Sequence, residues 1–224
     1  MQQSLRHFKA FIFDLDGVLI DTEPFHFETW QQLASENGLE YNAEIGAKMR
    51  GKTRNESLSC LLQYNEKQVD SPIFEQMMLR KNELFLAHIH ALSTHNLLAG
   101  AYELLTKLAA EKLKIGLASS SRNAFFLVEK MGILPFFEVI VDGNDIQYSK
   151  PDPEIFVLCA QKLGVFPAEC VVIEDSISGI MAAHNANIFC IKVGDATQDK
   201  GSILADWEVR SLEEILSVIS TSEK

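Results

Sequence analysis

The strongest constraint on the fold is a regular alternation of short apolar segments and amphipathic segments, which begins near residue 100. Strands are predicted over residues 114–118, 138–141, 170–173 and 188–191. Helices are predicted before, between and after them, over residues 104–111, 124–131, 152–163, 179–186 and 212–219. Alternation of this kind is typical of a parallel sheet covered by helices on both faces. The pattern therefore predicts an α/β fold.

One more buried strand is predicted far from the others, at residues 10–13. The segment from about residue 24 to about residue 93 carries helical periodicity and no strand pattern. Because the first strand belongs with the sheet, this helical segment is an insertion that follows it. We predict a core domain of residues 1–20 and 96–224 and a helical domain of residues 21–95.

Polar residues follow the predicted strands, at the point where each strand ends. They are Asp14 and Asp16, then Ser119 to Ser121, then Asp142, and last Glu174 and Asp175. In parallel sheets the ligand site lies at the carboxyl ends of the strands, so these side chains are expected to converge. Clustered carboxylates suit a hard divalent cation such as magnesium. One acid can attack a phosphoryl group while another moves protons.

Charge and cysteine usage narrow the class of protein. The formal net charge is −11, which argues against nucleic acid or an anionic membrane as a partner. The four cysteines share no metal-binding spacing and each lies in an apolar context, so we interpret them as core residues. No targeting segment and no apolar run of the roughly 18 residues that span a membrane is visible. We expect a cytoplasmic monomer.

Four motifs taken together resemble the haloacid dehalogenase superfamily: Asp14-x-Asp16, Ser119, Lys150 and Glu174-Asp175. The resemblance implies a Rossmann-like core with an inserted helical cap. It implies that Asp14 is the nucleophile and Asp16 the general acid and base, with Lys150 pairing with Asp14 and the phosphoryl oxygens. Magnesium would be held by Asp14, the Asp16 carbonyl and Asp175, with Glu174 acting through water. Ser119 and nearby N–H groups would bind the phosphoryl group.

Shorter motifs resemble the β-phosphoglucomutases within that superfamily. The residues that carry them are His26, Trp30, Gly51, Arg54, Ser57 and Lys81 in the helical segment, and Ser119, Ser121 and Asn123 in the core. The resemblance implies that these positions, with Ser120, bind a sugar phosphate. Arg54, Ser121 and Asn123 would hold its second, non-reacting phosphate. His26 and Lys81 would contact the sugar or Asp16 when the cap closes.

Helical periodicity sets Lys81 and His26 apart without reference to any family. Lys81 falls within the apolar stripe of its predicted helix, between Phe74 and Phe85, and His26 shares a helix face with Trp30. A lysine inside such a stripe must reach solvent along its stem or find a partner for its charge. A lone inward histidine is most often an ordinary core residue. An inward histidine and an inward lysine in the same helical segment are harder to interpret as ordinary core residues, and together they indicate a binding site.

Three functions fit these residues. The first is interconversion of β-glucose 1-phosphate and glucose 6-phosphate through a bisphosphate. The second is hydrolysis of sugar phosphates by the same catalytic residues, and the third is phosphosugar binding without catalysis. The first two differ in whether a sugar hydroxyl or water attacks the aspartyl-phosphate. Lys52, Ser120, Arg122 and residues 194–206 depart from the mutase pattern, which leaves the sugar open.

Overall fold

A computed structural model of the protein describes residues 5–49, 52–90, 92–194 and 204–220, with the backbone alone given for Arg6 and Ser220. The chain divides into two units, one of residues 1–21 and 93–224 and another of residues 22–92. The second unit interrupts the first directly after its first strand and the turn that follows.

The first unit is built on a parallel sheet. Its strands are β1 (Ala10–Phe13), β2 (Lys114–Ala118), β3 (Val139–Val141), β4 (Cys170–Glu174), β5 (Phe189–Val193) and β6 (Trp207–Val209). Their order across the sheet is β3-β2-β1-β4-β5-β6. Every neighbouring pair is parallel, and Phe13 of β1 lies opposite Leu117 on one side and Ile173 on the other. All strands therefore end at the same edge, and the predicted α/β fold is confirmed.

Five α-helices lie in the part of this unit that the structure describes: α5 (Ala101–Ala110), α6 (Ala124–Lys130), α7 (Glu154–Leu163), α8 (Ile177–Asn185) and α9 (Leu212–Ser220). On one face of the sheet, α7 and α8 pack against alternate strand residues. Phe156 and Ile180 join Ile12, Val172 and Cys190 in one buried cluster. Helix α7 ends at Gly164, whose φ of 67° is the left-handed conformation that terminates helices and favours glycine. This packing orients the strand ends on which the site depends.

The described residues of the second unit form the helices α1 (Glu23–Glu36), α2 (Ala43–Met49), α3 (Arg54–Tyr64) and α4 (Ser71–Ile89). Side-chain caps begin three of these helices. Asn42 accepts from the Glu44 and Ile45 N–H groups at α2, Thr53 and Glu56 form a reciprocal capping box at α3, and Asp70 accepts from the Ile73 N–H at α4. The unit has its own core, which includes Trp30, Leu33, Leu58, Leu61, Met77 and Leu84.

Two short elements have no counterpart in the sequence prediction. Helix α2 has seven residues and buries only Ile45 and Met49, and strand β6 has three residues and buries only Val209. Elements this short carry too few apolar positions to show a period. Among the described residues, no helix has both the length and the apolar character needed to cross a membrane.

Candidate active site

Asp14 stands directly beyond β1 and is 6% exposed. Its N–H donates to the carbonyl of Ile173 on β4, which continues the sheet bonding past the end of the strand (3.0 Å). The turn that follows requires Gly17, for two reasons. Its φ is +84°, and a Cβ at this position would lie 2.1 Å from Oδ2 of Asp175. The glycine thus allows Asp175 to lie against the loop that carries Asp14 and Asp16.

Lys150 links two of the acids from within the protein. The side chain is buried, and its Nζ donates to Oδ1 of Asp14 (2.6 Å), Oε1 of Glu174 (2.7 Å) and the carbonyl of Ala118 (3.2 Å). Burial alone would lower the pKa of Lys150, but Asp14 and Glu174 together raise it above its usual value. The ammonium is therefore charged, and its three donors are all used within the strand-end cluster.

Glu174 is held on both of its oxygens. Oε1 accepts from Lys150, and Oε2 accepts from the N–H and the hydroxyl of Ser176 (2.7 and 3.0 Å). Ser176 also caps α8, because its Oγ accepts from the Gly179 N–H. A Cβ on Gly179 would lie 1.8 Å from the Glu174 carboxylate, so the first turn of α8 approaches as closely as a glycine permits. Sequence reasoning named Gly179 only as the start of a predicted helix and missed Ser176, although a serine directly before an apolar residue such as Ile177 is a helix-start signal.

The acids form a cluster of oxygen ligands. Carboxylate oxygens of Asp14, Glu174 and Asp175 lie within 4.8 Å of one another, which makes this a candidate metal site among the described residues. Burial raises the pKa of Asp14 to about 8 and that of Asp175 to about 9, and the neighbouring acids add to both rises. So many buried carboxylates need a compensating cation to be ionised together. An all-oxygen donor set fits a hard divalent ion.

Asp16 is not among the three carboxylates of that cluster. It is partly buried, and its charge contributes to the raised pKa of both Asp14 and Asp175. Its carboxyl group therefore lies close enough to the three clustered carboxylates to affect their pKa values, but it is not one of the clustered metal-ligand candidates. This arrangement is compatible with the predicted division of roles, in which the Asp16 carbonyl faces the metal and its side chain serves as acid and base.

The serines after β2 form a tight turn before α6. Ser119 is fully buried, and its Oγ accepts from the Ser121 N–H (3.1 Å). The Ser121 Oγ in turn accepts from the Asn123 N–H (3.2 Å), while Ser120 is partly buried. Two of the N–H groups expected to bind an anion are thus already bonded to hydroxyls. Because a hydroxyl that accepts still has its proton to donate, Ser119 and Ser121 keep the capacity to bind phosphoryl oxygens.

In the helical unit, His26, Trp30 and Lys81 meet as the sequence pattern indicates. Lys81 is 2% exposed, and its Nζ lies 2.9 Å from Nδ1 of His26. The ammonium also lies over the rings of Trp30 (5.2 Å) and Phe85 (4.5 Å), and the His26 ring stacks on Phe85. Burial lowers the pKa of His26 well below its usual range, and Lys81 and Arg54 lower it further. His26 is therefore neutral and accepts from Lys81 at Nδ1, which leaves Nε2–H as a donor.

Arg54 begins α3 and is oriented by a residue that the sequence reasoning did not assign. Its Nη2 donates to Oδ1 of Asn82, the neighbour of Lys81 on α4 (2.6 Å). Ser57, one turn further along α3, is buried. Gly51, which was predicted to bind substrate, lies outside the described residues. Five of the six substrate-binding positions predicted in the helical segment are thus described within one unit: His26, Trp30, Arg54, Ser57 and Lys81.

Comparison with known proteins agrees with this geometry. Residues 11–193 match the family described as haloacid dehalogenase-like hydrolase. The chain is 37% identical over 209 residues to the β-phosphoglucomutase of Bacillus subtilis (strain 168). The aligned region covers 92% of this chain and 91% of the relative. It is 31% identical over 216 residues to a phosphorylated carbohydrates phosphatase of Thermotoga maritima, with 94% and 98% covered.

A crystal structure of β-phosphoglucomutase from Clostridium difficile has the same fold. Its TM-score is 0.89 at 32% identity, and 96% of this chain and 98% of that chain are covered. Both the family match and the relatives extend across the inserted helical unit as well as the sheet. The predicted family is confirmed: the chain is an enzyme and belongs to the haloacid dehalogenase-like hydrolases.

Proposed function

We propose that this enzyme transfers a phosphoryl group on a phosphorylated sugar, and that it is a β-phosphoglucomutase that interconverts β-glucose 1-phosphate and glucose 6-phosphate. The observation that carries the proposal is the buried Lys150, bonded to Asp14 and Glu174 beside Asp175. A nucleophilic carboxylate held by one cation and adjacent to a second cation site suits attack on an anionic phosphoryl group.

In the proposed cycle Asp14 carries the phosphoryl group before the sugar phosphate binds. A hydroxyl of the sugar phosphate attacks the aspartyl-phosphate, the bond from phosphorus to Asp14 breaks, and Asp16 takes the hydroxyl proton, which gives the bisphosphate. An Asp14 oxygen then attacks the other phosphorus of the bisphosphate, and the bond from that phosphorus to the sugar oxygen breaks as Asp16 gives that oxygen a proton. The Ser119 hydroxyl binds the phosphoryl oxygens, and Lys150 stabilises their charge electrostatically while it holds Asp14. Such transfer depends mainly on positioning and on charge stabilisation, which these fixed donors provide.

Magnesium is the proposed metal. Asp14, the Asp16 carbonyl and Asp175 would hold it directly, with Glu174 acting through water because its own oxygens are bonded to Lys150 and Ser176. The ion supplies charge neutralisation at the phosphoryl group when bound.

Magnesium affinity should rise with pH, because the ion must displace protons from Asp14 and Asp175. Burial raises the pKa of Asp14 to about 8 and that of Asp175 to about 9, so metal binding should release protons from these carboxyls near neutral pH. We expect at least about tenfold tighter binding at about pH 8.5 than at about pH 6.5. Calorimetry in buffers of different ionisation heat measures both the affinity and the protons released. Affinity that is constant over this range, with no proton release, contradicts the prediction.

The helical unit is proposed to be a lid that recognises the rest of the sugar phosphate. His26, Lys81 and Arg54 provide a set of nitrogen donors in this unit, where a purely hydrophobic lid would need none. Closure would exclude water from the aspartyl-phosphate, which a mutase needs more than a phosphatase does. The second candidate is a sugar-phosphate phosphatase, and the likeness to the Thermotoga maritima phosphatase favours it.

Arg54→Ala should separate the two candidates. If Arg54 binds the second phosphate and orients the bisphosphate for reattack, mutase turnover should fall about a hundredfold, the loss expected for a charge-assisted contact. Hydrolysis of acetyl phosphate should stay close to wild type, because that ester carries no second phosphate. A coupled assay of glucose 6-phosphate and free phosphate formed from β-glucose 1-phosphate measures the turnover of the sugar phosphate. Free phosphate released from acetyl phosphate measures the hydrolysis of the small ester.

Arg80→Ala is the matched control for that experiment. Arg80 lies on α4 in the same unit, but it is partly exposed and pairs with Glu36 and Glu83. It should leave both activities unchanged. If wild-type protein only releases free phosphate, and the Arg54 and Arg80 variants behave alike, the mutase proposal fails and the phosphatase takes its place.

A further inference from the structure

Lys192 is a buried cation that the proposed reaction does not use. It lies on β5 and is 2% exposed. Among the described residues, its Nζ is the buried side-chain atom without a hydrogen-bond partner. A buried ammonium with no acceptor is costly, so its retention calls for a charge nearby that it stabilises.

The strand register shows which charges are near. Val172 on β4 lies opposite Cys190 on β5, and both side chains belong to the core cluster on one face of the sheet. Two residues further along, Glu174 lies opposite Lys192, so both continue on that same face. On the other side of β4, Asp14 follows Phe13, which lies opposite Ile173. Asp14, Glu174 and Lys192 therefore form one row across three adjacent strands.

Spacing in the row is set by the sheet. Adjacent strands are about 4.8 Å apart, so the Lys192 backbone lies about 5 Å from that of Glu174 and about 10 Å from that of Asp14. Lys192 Nζ makes no hydrogen bond to Glu174, whose oxygens accept from Lys150 and Ser176. Lys192 therefore acts on the row through its charge and not through a hydrogen bond.

We propose that Lys192 is a positioning residue for the phosphoryl site: a fixed cation behind Glu174 that offsets the surplus negative charge of the acidic cluster. This inference rests on the proposed function. Among the described residues, the clustered carboxylates of Asp14, Glu174 and Asp175 outnumber the one ammonium group that bonds to them, that of Lys150. The excess negative charge disfavours an anionic substrate. A second buried cation favours the phosphoryl anion, and for the same reason it disfavours the metal ion.

The opposite signs provide the test, with Lys192→Met as the variant. Removing the charge should tighten Mg²⁺ binding and weaken the binding of inorganic phosphate at saturating Mg²⁺. Each shift should be about three- to tenfold at separations near 10 Å. Isothermal titration calorimetry measures both affinities without turnover. The thermal midpoint of the metal-free variant should rise, because an unpaired buried charge has been replaced by an apolar side chain.

Two further variants make the experiment specific. Lys114→Met removes the same charge at the start of β2, at the opposite edge of the sheet, and should leave both affinities unchanged. Lys192→Arg keeps the charge and should retain wild-type affinities. Equal affinities in wild type and Lys192→Met, shifts of the same sign, or a lower thermal midpoint in Lys192→Met would each overturn the inference. Wild-type protein that binds neither Mg²⁺ nor phosphate would instead overturn the proposed function itself.

Discussion

Asp14→Asn is expected to abolish phosphoryl transfer while leaving the protein folded. The amide is nearly isosteric with the carboxylate, and its oxygen can still accept from Lys150, which is 2.6 Å from the Asp14 oxygen. The amide lacks the charge and the nucleophilicity needed to attack phosphorus, so turnover should fall by about ten-thousandfold or more. Release of glucose 6-phosphate and of free phosphate measures activity, and circular dichroism measures the fold.

Asp142→Asn is the matched control, because Asp142 is also buried at the carboxyl edge of the sheet. Its Oδ1 accepts from the Asn144 N–H and serves only the loop after β3 (2.7 Å). Activity should be close to wild type in this variant. If Asp14→Asn keeps more than about a hundredth of wild-type activity, Asp14 is not the nucleophile.

Lys150→Met should damage both stability and activity. In the wild-type protein Lys150 Nζ lies 2.6 Å from Asp14 and 2.7 Å from Glu174. The substitution leaves both carboxylates buried without this cation. Removing one partner from a buried ion pair typically costs about 3–5 kcal/mol of unfolding free energy. Because Lys150 is also proposed to hold Asp14 and to stabilise the charge of the phosphoryl group, turnover should fall by about a thousandfold. Urea unfolding and steady-state kinetics measure the two losses separately.

Lys162→Met provides the comparison for stability. Lys162 pairs with Asp145 at 3.2 Å, but both side chains are well exposed. Solvent screens such pairs, so this variant should unfold at nearly the wild-type urea concentration. Should Lys150→Met match it, the Lys150 cluster would not stabilise the fold, and the buried-pair argument would fail.

Most of the fold could be predicted because its pattern is local. The strand Cys170–Glu174 consists of an apolar run that ends in an acid, and helices such as Ala101–Ala110 bury Leu104, Leu105 and Leu108 at helical spacing. The parallel arrangement follows from their alternation, and it carries the acids after β1 and β4 to one edge. The two elements that were missed, α2 and β6, are too short to have a period.

Residue pairing could be predicted less well. Lys150 was associated with Asp14 through family resemblance, and nothing local in the sequence joins residues separated by most of the sheet unit. The bond from Glu174 to Ser176, and the contacts of Arg54 with Asn82, likewise appear only in three dimensions. The inward positions of Lys81 and His26 were visible from periodicity, but their 2.9 Å contact was not.

By itself, the sequence determined the α/β class, the helical insertion, and which residue types reach the functional edge. These depend on hydrophobic period and on strand ends, both of which are properties of neighbouring residues. The tertiary structure alone decided which charges face each other, because that depends on strand register and on how closely helices approach. Gly17 and Gly179 show this. A Cβ on Gly17 would collide with the carboxylate of Asp175, and a Cβ on Gly179 would collide with that of Glu174. Lys192 shows it most clearly: its sequence context is an ordinary strand, and only its register opposite Glu174 places it in one row with Glu174 and Asp14.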